Sequence, residues 1–119
     1  MISRQHRFRG YSSLKYVYKN GTIVRGPLFA VKAIENPKRG SYRLAVVVSR
    51  KVNKSAVARN RIRRRLYEAV RQLEADILRP YDIVLTVFHS SVLEEPAQSL
   101  AAQVKKQLSE AGVLAKRVR

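Results

Sequence analysis

Five arginines lie within seven consecutive positions of this chain, a density of guanidinium groups that is suited to binding phosphate. They are Arg59, Arg61, Arg63, Arg64 and Arg65. The forked guanidinium group matches the geometry of phosphate oxygens. Arg50, Lys51 and Lys54 precede them, so half of the sixteen residues that end at Arg65 are basic. The pattern predicts a binding site for a polyanion.

The other reactive side chains do not form a recognisable catalytic or metal site. His6 and His89 have no partners at the spacing of a catalytic triad or a metal centre. The chain has no cysteine, which excludes disulfides, thiolate zinc sites and thiol catalysis. No glycine lies between Gly40 and Gly112, which excludes a Walker-type nucleotide loop. We therefore expect no catalytic residue, no metal ligand and no small-molecule substrate.

The net charge is concentrated in the first half of the chain. The sequence has 25 basic and 8 acidic residues, for a net charge of +17. Residues 1–65 hold 18 basic residues and one acidic residue, whereas residues 66–119 hold seven of each. A bound polyanion relieves the self-repulsion of such a segment, so nucleic acid is the expected partner. A basic surface that serves solubility alone is the less favoured alternative, because mixed charges would serve better.

Length and hydropathy predict one soluble domain that covers residues 1–119. No apolar run is long enough to span a bilayer, and MISRQHRFRG lacks the apolar core of a secretory signal. We expect a cytoplasmic protein with no membrane contact.

The spacing of apolar residues predicts three helices. YSSLKYVYKNG forms the first, with Ser12 or Ser13 as its N-cap. The second begins near Ala56 and continues for about six turns, because apolar residues recur at positions 62, 66, 69, 70, 73 and 77. The third begins at Pro96 and ends at Gly112.

Four segments have the composition of strands: TIVRG, PLFAVKAIE, YRLAVVVS and RPYDIVLTVF. YRLAVVVS, residues 42–49, is apolar on both faces, which predicts a central strand. The order αβββαβα gives an α+β fold, a two-layer sandwich of an about four-stranded mixed sheet and three helices. If all helices lie on one face, the other face of the sheet is available to a ligand.

The second helix separates an apolar face from its arginines. Relative to Leu66, the apolar residues cluster toward the core, whereas Arg61 and Arg64 point away from it. Arg59 is the exception, because it points only about 20° from the core direction. Either the helix begins after Ala56, or the head of Arg59 wraps around the helix end toward a partner. Arginines four residues apart repel each other, and a bound phosphate would relieve that repulsion.

The stretch SRKVNKSAVARNRIRRRLYEAVR resembles the signature of the bacterial ribonuclease P protein component. The resemblance centres on Arg59-Asn60-Arg61, which is followed by further arginines on the same helix. HRFRGYSSLKYVYKNG and YRLAVVVS are also similar to the corresponding parts of that family, so the resemblance covers most of the chain. It implies a left-handed crossover from the third strand through the long helix to the fourth, although the general rule predicts a right-handed one.

The resemblance implies a protein subunit of ribonuclease P, in which a catalytic RNA removes the 5′ leader of precursor tRNA. Mg²⁺ would assist this reaction and would be bound mainly by the RNA partner. The residues implied to bind the catalytic RNA are Arg50, Lys51, Lys54, Arg59, Asn60, Arg61, Arg63, Arg64 and Arg65. The amide of Asn60 is suited to a 2′-hydroxyl or a base edge.

The resemblance also implies a leader cleft between the first helix and the open face of the sheet. Tyr18 matches one of two aromatic residues that the family usually has on this helix, and aromatic rings stack on unpaired bases. Leu14 and Lys32 stand at positions where the family usually has aromatic residues. We assign leader contact to these three residues. Tyr16 is an alternative stacking residue that points in another direction.

Two other functions share the charge and size of this chain. A structural RNA-binding protein, such as a ribosomal protein of similar α+β fold, is the main alternative, and the Arg-Asn-Arg helix argues against it. A DNA-binding domain is less favoured, because one basic helix between strands lacks the pairing of a helix-turn-helix motif.

Overall fold

Three helices and four strands make up the computed structural model, which describes His6 and residues 11–114. The helices are α1 Tyr11–Asn20, α2 Ala56–Arg71 and α3 Ala97–Glu110. The strands are β1 Thr22–Arg25, β2 Phe29–Glu35, β3 Arg43–Val47 and β4 Tyr81–Val87. The predicted α+β class and the order αβββαβα are confirmed. None of the described helices has the length and apolar character needed to cross a membrane.

The strands form one mixed sheet in the order β1-β2-β4-β3. β2 pairs antiparallel with β1 and β4, whereas β3 pairs parallel with β4, where Arg43 lies opposite Asp82. The helix α2 connects the two parallel strands, and the handedness of this crossover stays a prediction. β3 lies at an edge of the sheet, so its predicted central position is wrong.

The apolar character of β3 has a different cause from the one predicted. Leu44 and Val46 pack in the main core on the side of α2 and α3. Ala45 and Val47 point to the opposite face, where they pack near α1. Both faces of this edge strand are therefore covered by helices. A two-sided apolar strand indicates two covered faces and does not indicate two neighbouring strands.

The main core lies between one face of the sheet and the helices α2 and α3. Ile62, Leu66 and Val70 of α2 are fully buried there, together with Val104 and Leu108 of α3. Each such side chain contributes about 1.5–3 kcal/mol relative to an exposed position. This packing fixes α2 on the sheet, so the arginines on its outer surface project from fixed positions.

The opposite face, here called the second sheet face, carries α1. Val17 of α1 is fully buried against Ala45 and Val84, and Leu14 packs beside them. The expectation that all helices lie on one face is therefore wrong, because amphipathic α1 forms a small core of its own. This core involves β2, β3 and β4, and it leaves the β1 side of the face open, where Ile23 is 52% exposed.

The capping residues predicted from the sequence match the ends of α3 but not the start of α1. α1 begins at Tyr11, so Ser12 and Ser13 lie within the helix, and neither stands at the N-cap position that was predicted for them. α3 begins directly after Pro96, as predicted. Gly112 ends it with a φ of 81°, a left-handed conformation that glycine adopts without strain.

The helix α2 ends earlier than its apolar periodicity predicts. It stops at Arg71, and the Leu73 backbone N–H donates to the carbonyl of Val70, three residues back, at 2.9 Å. A 3-10 turn over Glu74–Asp76 then leads toward β4. Leu73 and Ile77 still pack on the main core. The periodicity of these residues therefore indicated burial correctly and helix length incorrectly.

Candidate nucleic-acid interface

A capping loop fixes the N-terminus of α2. Ser55 Oγ accepts a hydrogen bond from the Ala58 backbone N–H at 3.2 Å, and the Ser55 N–H donates to Asn53 Oδ1 at 2.9 Å. The helix begins at Ala56, and its first turn contains no acidic residue. The positive end of the helix dipole is therefore surrounded by cations, a combination that favours an anionic ligand.

The side chain of Arg59 wraps around this helix end. Its Nη1 donates to the backbone carbonyls of Asn53 and Lys54, both at 3.0 Å. Because the helix begins at Ala56, the alternative of a later start is excluded. The Arg59 head satisfies carbonyls of its own chain and holds the loop against the helix, which explains an arginine so close to the core direction.

Arg65 connects α2 to the segment that precedes α3. Its Nη1 donates to the carbonyl of Val92, and its Nη2 donates to the carbonyl of Glu95 at 2.6 Å. The side chain is partly buried at this junction. No sequence pattern indicates this structural role, because positions 65 and 92 come together only in the fold.

Arg61 and Arg64 are exposed and line a groove of about 420 Å³ between α2 and α3. The remaining lining is Arg65, Glu68, Ala69, Gln72, Ala97, Leu100 and Ala101. Arg71 forms an ion pair with Glu68, and the hydrogen bonds that its guanidinium donates lower the pKa of the Glu68 carboxyl. The groove therefore combines an apolar wall with two exposed guanidinium groups at its rim.

The other predicted RNA-binding residues lie at the same end of α2. Arg63 donates to Asn60 Oδ1, which leaves the amide N–H groups of Asn60 as donors for a ligand. The loop before the helix presents three exposed cations that line a shallow depression: Arg50, Lys51 and Lys54. The structure thus brings all nine predicted residues to the first ten residues of α2 and its adjoining loop.

Two of the three predicted leader-binding residues meet on the second sheet face. Lys32 Nζ donates to the backbone carbonyl of Tyr18 and lies 5.7 Å from the centroid of the Tyr18 ring. The Tyr18 residue is 40% exposed. Leu14 is partly buried in the small core beneath α1, so it supports the helix more than it faces solvent. Tyr16, 57% exposed, lies on the opposite flank of α1.

A further aromatic residue on this face was missed from the sequence. Phe88 follows β4 and is 36% exposed, and the guanidinium carbon of Arg25 lies 4.9 Å from its ring centroid. Alternation along β4 places position 88 on the same face as Val84 and Thr86. That alternation could have identified Phe88, whereas the pairing with Arg25 requires the strand order.

Of the two histidines, His6 packs against Tyr42 and His89 is exposed to solvent. The His6 ring stacks on Tyr42 with centroids 4.0 Å apart, and its Nδ1 donates to the Tyr42 carbonyl at 2.8 Å. Burial, and a hydrogen bond from its hydroxyl to Glu74, raise the pKa of Tyr42 well above its usual range. His89 is exposed after β4. Among the described residues, no three His, Asp or Glu side chains could together hold a metal ion.

The sequence as a whole matches one protein family. The family model described as Ribonuclease P matches residues 2–112. The chain belongs to the ribonuclease P protein family. The ribonuclease P protein component of Pseudanabaena sp. is 35% identical over 115 residues, which cover 96% of this chain and 97% of the relative. That of Chloroflexus aurantiacus is 32% identical over 113 residues, or 95% and 82% of the two chains.

Solved ribonuclease P proteins share the fold of this chain. The Staphylococcus aureus RNase P protein superposes with a TM-score of 0.80 at 24% identity, covering 92% of this chain and 97% of that one. The Thermotoga maritima RNase P protein gives a TM-score of 0.76 at 23% identity, covering 87% and 96%. The predicted family and function, a ribonuclease P protein subunit with roles in RNA binding and tRNA processing, are confirmed. The roles of individual residues stay predictions.

Proposed function

We propose that this chain is the subunit through which a ribonuclease P ribonucleoprotein binds its catalytic RNA and the 5′ leader of precursor tRNA. Residues 1–119 act as a single RNA-binding domain. The observation that carries the proposal is the first ten residues of α2, where the exposed Arg61 and Arg64 project from a helix whose core-facing side is buried.

The catalytic RNA binds at this basic end of α2. Arg61 and Arg64 are exposed on the outer side of the helix, and the loop cations extend the positive surface beyond its N-terminus. Guanidinium groups bind phosphates in a bidentate manner, and the amide of Asn60 recognises a 2′-hydroxyl or base edge. Phosphate also removes the repulsion between arginines that destabilises the isolated helix.

The 5′ leader binds on the second sheet face beside α1. The half-exposed Tyr18 ring stacks on an unpaired base, and the neighbouring Lys32 ammonium attracts the backbone phosphate. Stacking has little sequence preference, because every base has a π-face. This property suits a subunit that assists with many precursor tRNAs.

The chemistry of leader removal resides in the RNA subunit, and Mg²⁺ is bound mainly by that RNA. The carboxylates of the described residues do not fit a protein-held magnesium site. Asp82 is buried in a bidentate ion pair with Arg43, and Glu68 is paired with Arg71. The side chains of this protein bind RNA and take no part in the cleavage step. The holoenzyme acts in the cytoplasm, where precursor tRNA is made.

The decisive experiment recovers the RNA that co-purifies with the chain from its own cells and sequences it. A single structured RNA that cleaves precursor tRNA in the presence of Mg²⁺, with activity at low Mg²⁺ dependent on added protein, is the expected result. Ribosomal RNA as the enriched species would refute the proposal and favour a structural ribosomal role.

A further inference from the structure

Two pairs of a cation and an aromatic ring lie on the second sheet face. Lys32 Nζ is 5.7 Å from the Tyr18 ring centroid, and Arg25 Cζ is 4.9 Å from the Phe88 ring centroid. Both aromatic residues keep more than a third of their surface exposed. The second pair therefore repeats the arrangement of the first on the open part of the same face.

The strand register gives the offset between the two cations along the sheet. Lys32 is the register partner of Ile23, and Arg25 lies two residues further along β1 on the same face. Two residues along a strand span about 7 Å. Ala30 lies opposite Arg25 on β2 and is 5% exposed, and its small side chain leaves the Arg25 side chain a path across the sheet toward Phe88.

A backbone hydrogen bond holds the main chain of Phe88 in the sheet. Its backbone N–H donates to the Leu28 carbonyl at 2.8 Å, which continues the pairing of β2 with β4 by one step. Among the described residues, no carboxylate lies within ion-pair distance of Arg25. An exposed ring beside an unneutralised guanidinium has the composition of a stacking site for an unpaired, anionic nucleotide.

We propose that Arg25 and Phe88 form a second position for single-stranded RNA, next to the position formed by Tyr18 and Lys32. The proposal rests on the proposed function, because its ligand is the same 5′ leader. A base stacks on the Phe88 ring while the Arg25 guanidinium binds the flanking phosphate. Neighbouring leader nucleotides thus occupy the two positions in succession across the second sheet face.

The test measures the affinity of the reconstituted holoenzyme for precursor tRNAs whose leaders are shortened one nucleotide at a time. Phe88→Ala should weaken binding about fivefold or more, the loss of one base stack, but only for leaders long enough to reach this position. Phe88→Tyr should restore binding. Tyr16→Ala, which removes an exposed ring from the opposite flank of α1, is the matched control and should change nothing.

The comparison with Tyr18→Ala separates this inference from the proposed function. The two variants should begin to lose affinity at leader lengths that differ by one or a few nucleotides, because the positions are successive. If Tyr18→Ala weakens leader binding and Phe88→Ala does not at any length, or if both effects begin at the same length, the second position is overturned and the proposed function stands. If affinity does not depend on the leader in any variant, both are overturned.

Discussion

The arginines of α2 divide into two classes that a pair of measurements can separate. Arg61 and Arg64 are exposed at the groove rim, whereas Arg65 donates to the carbonyls of Val92 and Glu95. The double variant Arg61→Ala with Arg64→Ala should therefore affect RNA binding without affecting stability. Arg65→Ala should mainly affect stability.

The expected sizes follow from these contacts. Each phosphate contact contributes about 0.7–0.9 to the slope of log affinity against log salt, so the double variant should lower the slope by about 1.4–1.8. When the salt concentration rises from 50 to 200 mM, the double variant should therefore lose about tenfold less of its RNA affinity than the wild-type protein loses. Arg65→Ala loses two hydrogen bonds from a charged group at a partly buried site, at a cost of about 2 kcal/mol in the free energy of unfolding. For a domain of this size the loss lowers Tm by about 8 °C.

The assay combines a salt titration of binding to the catalytic RNA with thermal unfolding of the free protein. Arg65→Lys is the informative control, because it retains the charge but lacks the fork that reaches both carbonyls. We expect Arg65→Lys to keep the wild-type salt slope and to have a Tm between those of the wild-type protein and Arg65→Ala. An Arg65→Ala protein with wild-type Tm and a reduced salt slope would refute the structural role of Arg65.

Three further outcomes test the packing beneath these surfaces. Gly26→Ala should lower Tm by about 4–8 °C in thermal unfolding. The new Cβ would lie 2.2 Å from Gln107 Oε1 and would displace the buried Gln107 amide, which donates to two backbone carbonyls. Asp82→Asn should cost about 3–5 kcal/mol in urea unfolding, because it removes the charge of the carboxylate that pairs with the buried Arg43; a loss below 1 kcal/mol would contradict this. Folding raises the pKa of Tyr42, so the Tyr42 hydroxyl loses its proton in the unfolded chain at a lower pH than in the folded protein, and the free energy of unfolding should fall as pH rises above about 10. Tyr42→Phe should flatten that decline, and an identical decline in both proteins would contradict the role of Tyr42.

The sequence predicted elements well because each element has its own local signal. The helix stop at Gly112 and the start at Pro96 depend on backbone properties of single residues, and both are confirmed. The position of β3 in the sheet has no such signal, because burial on both faces arises equally from strand neighbours and from covering helices. The predicted length of α2 was wrong for a related reason, because Ile77 packs on the core from the end of a 3-10 turn as well as it would from a helix.

The candidate site shows the same division between local and long-range information. The helical wheel identified Arg59 as anomalous, and the structure shows its head bound to carbonyls six and five residues earlier. The contacts of Arg65 and the pairing of Arg25 with Phe88 join residues far apart in sequence. No periodicity encodes those contacts, so only the assembled sheet and helices reveal them.

The strand order also determines when this protein can fold. β4 is central, with β2 on one side and β3 on the other, yet it is the last strand in the chain. During synthesis only the hairpin of β1 and β2 can form early, because every other pairing waits for residues 81–87. Residues 1–65, which carry all of the excess positive charge, are therefore synthesised before the central strand of the sheet. An RNA that binds this segment early would meet an unfolded chain, so the order of folding and ribonucleoprotein assembly is set by the position of one strand.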